Sequence, residues 1–135
     1  MTSQFGMIGL GVMGANLALN IEDHGFSVAV WNREHDKTRR FCDENRGKKL
    51  TETTTLEEFV AALERPRKIM LMIKAGAPVD EMLDKLLPLL AAGDVVIDGG
   101  NSWFKDTQAR AARLLQHDLH FVGSGVSGGE DGARF

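Results

Sequence analysis

Gly9-Leu10-Gly11-Val12-Met13-Gly14 decides the fold of this chain, and its meaning depends on what stands on either side. Before it, Phe5 to Ile8 is a short apolar run that stops at the glycines, as a strand does on entering a turn. After it, Met13, Leu17 and Ile21 form an apolar stripe at helical spacing, and Gly25 stands where such a helix would end. Each glycine in a G-x-G-x-x-G run between strand and helix has a physical task. The first permits the tight turn, the second lets the backbone approach a pyrophosphate, and the third lets the helix pack closely on the strand. The helix that begins there turns free N–H groups and a positive dipole end toward the phosphates. A glycine-rich structural turn is the competing reading, but the flanking strand and helix favour a dinucleotide-binding loop.

The next strand, Val28 to Trp31, ends at the residues that choose between cofactors. NAD enzymes commonly place Asp or Glu there, about 20 residues beyond the glycines, to hold the ribose hydroxyls. This chain has the uncharged Asn32 followed by Arg33. An arginine pairs with a 2′-phosphate and stacks on an adenine face, so the pair favours NADP. Glu34 cuts the other way, since a carboxylate beside that phosphate repels it, and NAD remains open.

Strands and helices go on alternating. A polar helix from near Glu34 closes at Asn45-Arg46-Gly47, and a weak strand is expected at Lys49 to Thr51. Leu56, Phe59, Val60 and Leu63 fall on one helix face, with Thr54 or Thr55 as its N-cap. Ile69 to Ile73 reads as a strand buried on both faces. Val79, Met82, Leu83, Leu86, Leu87 and Leu90 make an amphipathic helix that Pro88 should kink or cut short. A strand at Val95 to Ile97, a helix from Phe104 to Gln116 and a strand at Leu119 to Val122 complete the series. The pattern predicts an α/β Rossmann-type fold, a doubly wound, mostly parallel sheet, in a single domain over residues 1–135. Gly123 to Phe135 holds five glycines and no closing helix, which suggests a fragment of a longer chain.

Composition narrows the partners. With 43% hydrophobic and 26% charged residues, the chain of 135 residues reads as globular rather than disordered. A net charge of −3 gives no reason to expect nucleic acid or an anionic membrane. No apolar run approaches the roughly 20 residues a membrane-spanning helix needs. Cys42 is the single cysteine, so no internal disulfide forms, consistent with a reducing cytoplasm.

Open α/β sheets bind ligands beyond the carboxyl ends of their strands. Three more loops fall there: Lys74-Ala75-Gly76, Gly99-Gly100-Asn101-Ser102, and Ser124 to Arg134. Lys74 reads as a flanking cofactor contact or a solvated lysine rather than a proton-abstracting base. Glu130, Asp131 and Arg134 either orient a substrate or are surface charges. His24, His35, His117 and His120 are scattered and suggest no metal. Trp103 and Phe104 are expected to pack in the core rather than beside a ligand.

Taken together, these segments resemble the 6-phosphogluconate dehydrogenase family. The resemblance rests on the loop from Gly9 to Gly14 with Asn16-Leu17-Ala18-Leu19-Asn20, on Asn32-Arg33, on Lys74-Ala75-Gly76, on Ile97 to Ser102, and on Gly125 to Arg134. The first two are shared with other β-hydroxyacid dehydrogenases, and so is the Val126-Ser127-Gly128-Gly129 core. The Lys-Ala-Gly, Gly-Gly-Asn-Ser and Gly-Gly-Glu-Asp-Gly-Ala-Arg runs are more specific.

The resemblance implies an enzyme of the pentose phosphate pathway. It would oxidise 6-phosphogluconate at its 3-hydroxyl, pass hydride to NADP, and release carbon dioxide and ribulose 5-phosphate. By position, Gly9, Leu10, Gly11, Val12, Met13 and Gly14 would hold the pyrophosphate. Asn32, Arg33 and Glu34 would surround the 2′-phosphate, and Ile73, Lys74 and Ala75 would line the cofactor. Asn101 would touch cofactor and substrate, while Ser127, Gly128 and Gly129 would bind substrate. Members that use NADP more often carry a small hydroxyl residue where this chain has Glu34. The resemblance also places the catalytic lysine and glutamate, and a helical domain that forms a homodimer, beyond Phe135. On that basis these residues alone are expected to bind cofactor without catalysing. A neighbouring β-hydroxyacid dehydrogenase and a stand-alone nucleotide-binding module are the alternatives.

Overall fold

The computed structural model describes residues 2–100 and 102–124. Among these residues six strands form one sheet: β1 (Phe5–Ile8), β2 (Val28–Trp31), β3 (Leu50–Glu52), β4 (Lys68–Leu71), β5 (Val95–Asp98) and β6 (His120–Gly123). Their spatial order is β3-β2-β1-β4-β5-β6, and every pairing is parallel. The expected mostly parallel sheet is therefore wholly parallel among the described strands. Five helices connect them: α1 (Val12–Asp23), α2 (His35–Glu44), α3 (Leu56–Ala61), α4 (Ala77–Leu86) and α5 (Phe104–Leu115). The order reverses direction between β1 and β4, which opens a crevice at the carboxyl edge between them.

Alternation along the strands builds two cores, one on each face. Ile8, Ala29, Ile69, Leu71 and Val96 pack with Phe59, Leu83 and Leu114 of α3, α4 and α5. Met7, Val28 and Val30 point the other way, to Ala18 of α1 and Phe41 of α2. Successive strand residues face opposite sides, so a continuous apolar run is what a strand covered on both faces requires.

Several boundaries differ from the sequence reading, each for a local reason. β4 ends at Leu71, not Ile73; Met72 still donates its N–H to the Ile8 carbonyl at 2.8 Å, and its own carbonyl and the Ile73 side chain back the glycine loop. β3 lies one residue later than expected. α4 ends at Leu86 and gives way to a tighter 3₁₀ turn over Leu87–Leu89, so Pro88 does cut the helix short. Of the two candidate caps for α3, Thr55 serves, its hydroxyl accepting the Glu58 N–H at 3.1 Å. Trp103 and Phe104 correct a stronger expectation. They are 58% and 61% exposed rather than in the core, because they precede and open α5 at the sheet's carboxyl edge. Their rings meet edge to face at 6.0 Å, and the Lys105 ammonium lies 5.3 Å from the Trp103 ring.

The amino edge is held by a buried ion pair. Arg67 Nη1 donates to Asp94 Oδ2 at 3.1 Å, and Asp94 also accepts the Arg67 and Ala91 backbone N–H groups at 2.7 and 2.8 Å. Arg67 Nε donates to the Val60 carbonyl at 3.0 Å, so one guanidinium ties α3, β4 and the entry to β5.

Candidate dinucleotide site

The loop after β1 is shaped by close backbone approach. Gly9 has φ +100, and a Cβ there would run into the Met72 carbonyl. A Cβ on Gly14 would fall on the Gly9 carbonyl oxygen, so α1 and the loop touch where only hydrogen fits. Gly11 differs. A Cβ on it would meet nothing within 4 Å, although it caps α1 in an ordinary extended conformation. No steric contact within the fold requires glycine at that position, so the backbone there is open to close approach by a ligand.

The first turn of α1 fits an anion. Its N-cap makes no side-chain hydrogen bond and its first turn carries no acidic residue, so the positive end of the dipole is uncompensated there. Leu10 buries its side chain in the core beneath, while Val12 is 61% exposed at the loop's rim. Met13 is half-buried. These contacts divide the loop into residues that anchor it and residues that face outward.

Asn32 ties this loop to the end of β2. Its Oδ1 accepts the Leu10 N–H at 2.9 Å, and its Nδ2 donates to the Glu34 carbonyl at 3.3 Å. Arg33 and Glu34 next to it are exposed. Glu34 stands at the N-cap of α2 without a side-chain capping hydrogen bond, and its carboxylate lies 3.9 Å from the Lys37 ammonium one turn on.

A cavity of about 370 Å³ gathers these segments: Gly9, Asn32, Arg33, Ile73 and Lys74 line it. Ala75 follows half-buried in the same loop. The cavity also takes Trp31 and, from α4, Pro78, Glu81, Met82 and Lys85, none of which the sequence reading assigned to a site. Their signal was present in the spacing 78, 81, 82 and 85, one helix face, but apolar periodicity hid it because Met82 also serves the core.

A second cavity of about 440 Å³ lies along the same edge, between β5, β6 and α5, with Asp98, Gly100, Ser102, Thr107 and Ser124 on its wall. Asp98 is buried and organises the loop that follows, accepting the Gly100 N–H at 3.0 Å and the Ser102 hydroxyl. Asn101, Ser127, Gly128 and Gly129 lie outside the described residues, as do Glu130, Asp131 and Arg134. Another cavity, about 640 Å³, is at the opposite edge, among Phe5, Leu17, Ile21 and Phe26. It is mainly apolar and lies away from the glycine loop, so we assign it no part in nucleotide binding. Among the described residues no group of three or more His, Cys, Asp or Glu is placed to hold a metal ion. No helix among them is long and apolar enough to cross a membrane.

The residues present thus fit a dinucleotide: an open Gly11, a helix N-terminus without acidic side chains, and cations at the rim of an adjoining cavity. Residues 4–135 match the family described as the NAD binding domain of 6-phosphogluconate dehydrogenase. The chain belongs to that family. It is 55% identical over 130 residues to the NADP(+)-dependent, decarboxylating 6-phosphogluconate dehydrogenase of Bacillus subtilis, covering 96% of this chain and 28% of that protein. Decarboxylating 6-phosphogluconate dehydrogenase 1 of Saccharomyces cerevisiae is 52% identical across 100% of this chain and 28% of its own length. The chain therefore spans little more than a quarter of these relatives of the family. Among solved structures, the 6-phosphogluconate dehydrogenase of Plasmodium falciparum, studied with its cofactor NADP+ and its substrate 6-phosphogluconate, superposes with a TM-score of 0.91. It is 40% identical, and the match covers 98% of this chain and 29% of that one. A 3-hydroxyisobutyrate dehydrogenase of Mycobacterium tuberculosis shares the fold at 22% identity and a TM-score of 0.83, covering 99% of this chain and 44% of that one.

Proposed function

We propose that this chain is the NADP-binding domain of an enzyme that oxidatively decarboxylates 6-phosphogluconate to ribulose 5-phosphate. What carries the reading is the cavity at the carboxyl edge where Gly9, Asn32, Arg33, Ile73 and Lys74 meet, next to an open Gly11 at a helix N-terminus. The bound dinucleotide supplies the hydride acceptor.

The chain's own residues bind and orient it. The backbone from Gly9 to Gly14, with the N-terminus of α1, holds the pyrophosphate. Arg33 pairs with the 2′-phosphate and stacks on the adenine. Lys74 and Lys85 add positive charge to the same cavity, against the single carboxylate of Glu81. The Lys37 ammonium near Glu34 offsets part of the repulsion that Glu34 directs at a 2′-phosphate, which supports NADP over NAD. Asn101 would reach cofactor and substrate, and Ser127, Gly128 and Gly129 the substrate. The acid and base of the reaction, and the homodimer, belong to the rest of the longer protein. Residues 1–135 alone bind NADP without turning over substrate, and the whole protein works in the cytoplasm.

Calorimetric titration of this chain with NADP and with NAD tests the cofactor half. Tighter binding of NADP is expected, and equal affinity would mean that Glu34 cancels Arg33. Assay of the longer protein with 6-phosphogluconate and with 3-hydroxyisobutyrate tests the reaction. Turnover of the second and not the first would overturn the substrate assignment.

A further inference from the structure

Arg110 projects from α5 with only 4% of its side chain exposed. Its Nε and Nη2 donate to the two Asp80 carboxylate oxygens of α4 at 2.8 and 3.1 Å. Nη2 also donates to the Gly76 carbonyl at 3.1 Å. Gly76 ends the Lys74-Ala75-Gly76 loop and caps α4 at φ +95, a conformation that favours glycine. The same carbonyl accepts the Val79 N–H at 3.1 Å, so helix start and loop end share one acceptor.

Packing α4 against the sheet beside α5 needs no guanidinium. Leu83, Leu86 and Leu114, all fully buried, already supply apolar contact there. Asp80 keeps 52% of its side chain exposed, so the burial cost falls on the guanidinium, and an apolar residue of similar volume at position 110 would avoid it. What arginine offers that an apolar residue does not is a planar fork of donors able to grip a carboxylate and a carbonyl together. Among the described residues its remaining Nη1 is buried without a hydrogen-bond partner, an imperfection that packing alone does not require. The hydrogen bonds to Asp80, then the charges of Asp80, Asp106 and Asp98, favour the charged guanidinium and outweigh the opposing effect of burial.

We infer that Arg110 is a positioning residue for the dinucleotide site, fixing Lys74 and Ala75 at the cavity through its grip on the Gly76 carbonyl. The inference rests on the NADP reading above. Arg110 acts through the loop rather than by touching the cofactor.

The test compares three versions of the 135-residue chain. Arg110→Lys keeps the charge but not the fork. Leu114→Val loosens the same helix without touching the loop. For Arg110→Lys we expect NADP binding about tenfold weaker and Val79 amide exchange at least about tenfold faster, with Ile69 and Leu71 exchange unchanged. For Leu114→Val we expect NADP affinity within about twofold of the parent at a temperature where circular dichroism shows both folded. Parental affinity and parental Val79 protection in Arg110→Lys would overturn the inference, and so would an equal affinity loss in Leu114→Val. If Arg110→Lys does not fold, Asp80→Asn takes its place, with the same direction expected and the same outcomes decisive. A parent chain that binds no NADP would sink the cofactor reading and the positioning role with it. The Val79 exchange comparison needs no ligand and separately decides whether Arg110 holds Gly76.

Discussion

Asn32 Oδ1 accepts the backbone N–H of Leu10 at 2.9 Å, joining the end of β2 to the middle of the glycine loop. The side chain at the position proposed to face the 2′-phosphate is thus also a brace for the loop. Replacing it with alanine leaves a part-buried donor unmatched, and we expect Asn32→Ala to lose about 1–2 kcal/mol of stability in urea unfolding. Asn32→Asp keeps the acceptor but sets a carboxylate oxygen against the Glu34 carbonyl and near a bound 2′-phosphate. Its NADP affinity should fall about tenfold, equivalent to about 1.4 kcal/mol, and its NAD affinity by less.

Gly11 and Gly14 should separate binding from folding. Gly11→Ala meets no neighbour, so its urea midpoint should stay within experimental error of the parent while NADP binding is lost. Gly14→Ala drives a methyl group into the Gly9 carbonyl and should cost on the order of 1–3 kcal/mol, as overpacking does. Full NADP affinity in Gly11→Ala would show that the pyrophosphate does not lie against that residue.

Arg33 and Glu34 are both exposed, so changes there should alter specificity more than stability. Arg33→Ala should weaken NADP binding by about 1.5–3 kcal/mol, the usual worth of a hydrogen bond to a charged group, and NAD binding by less. Glu34→Thr should tighten NADP binding only about two- to threefold, since Lys37 already screens the carboxylate. Titrations at low and high salt would read both effects.

Asp94 is the counter-ion of a buried arginine and the acceptor for two backbone donors. Asp94→Ala should cost about 3–5 kcal/mol, the penalty for leaving one member of a buried pair alone. Pairing it with Arg67→Met should recover part of that loss. Recovery stays incomplete because the Arg67 and Ala91 N–H groups still lack their acceptor. A double-mutant cycle by denaturant unfolding measures the difference.

Cys42 is half-buried, and burial, followed by the nearby charges of Glu52 and Asp43, pushes its thiol from 9.0 to about 11. Thiolate is the reactive form, so at pH 8 the folded chain should hold about a hundredfold less of it than the unfolded chain. Alkylation followed by mass spectrometry should be slow in buffer and rapid in denaturant. The linkage has a definite sign. The folded state holds this proton more tightly, so that share of stability is full below pH 9.0 and is lost as pH rises through about 11.

Much of the fold was legible because its signals are local. The β1 run, the glycine spacing and the stop at Gly25 each act within a few residues, and the structure places β1 and α1 accordingly. The capping choice between Thr54 and Thr55 was not legible, since either hydroxyl is chemically suited and backbone geometry selects Thr55. Trp103 and Phe104 were misjudged because aromatic residues favour burial on average. Nothing in the local sequence reveals that this helix starts outside the sheet's covered area.

By itself, then, the sequence determined the alternation of strand and helix and the glycine loop between β1 and α1. Those depend on residue type and short spacing, where steric and hydrogen-bonding preferences act directly. Only the tertiary structure decided that α4 joins the cavity wall, that Asn32 braces Leu10, and that Arg110 reaches Gly76 across 34 positions of chain. Contacts of that range arise when the sheet sets parallel strands side by side and brings their carboxyl ends to one edge. No local preference encodes which side chains meet there.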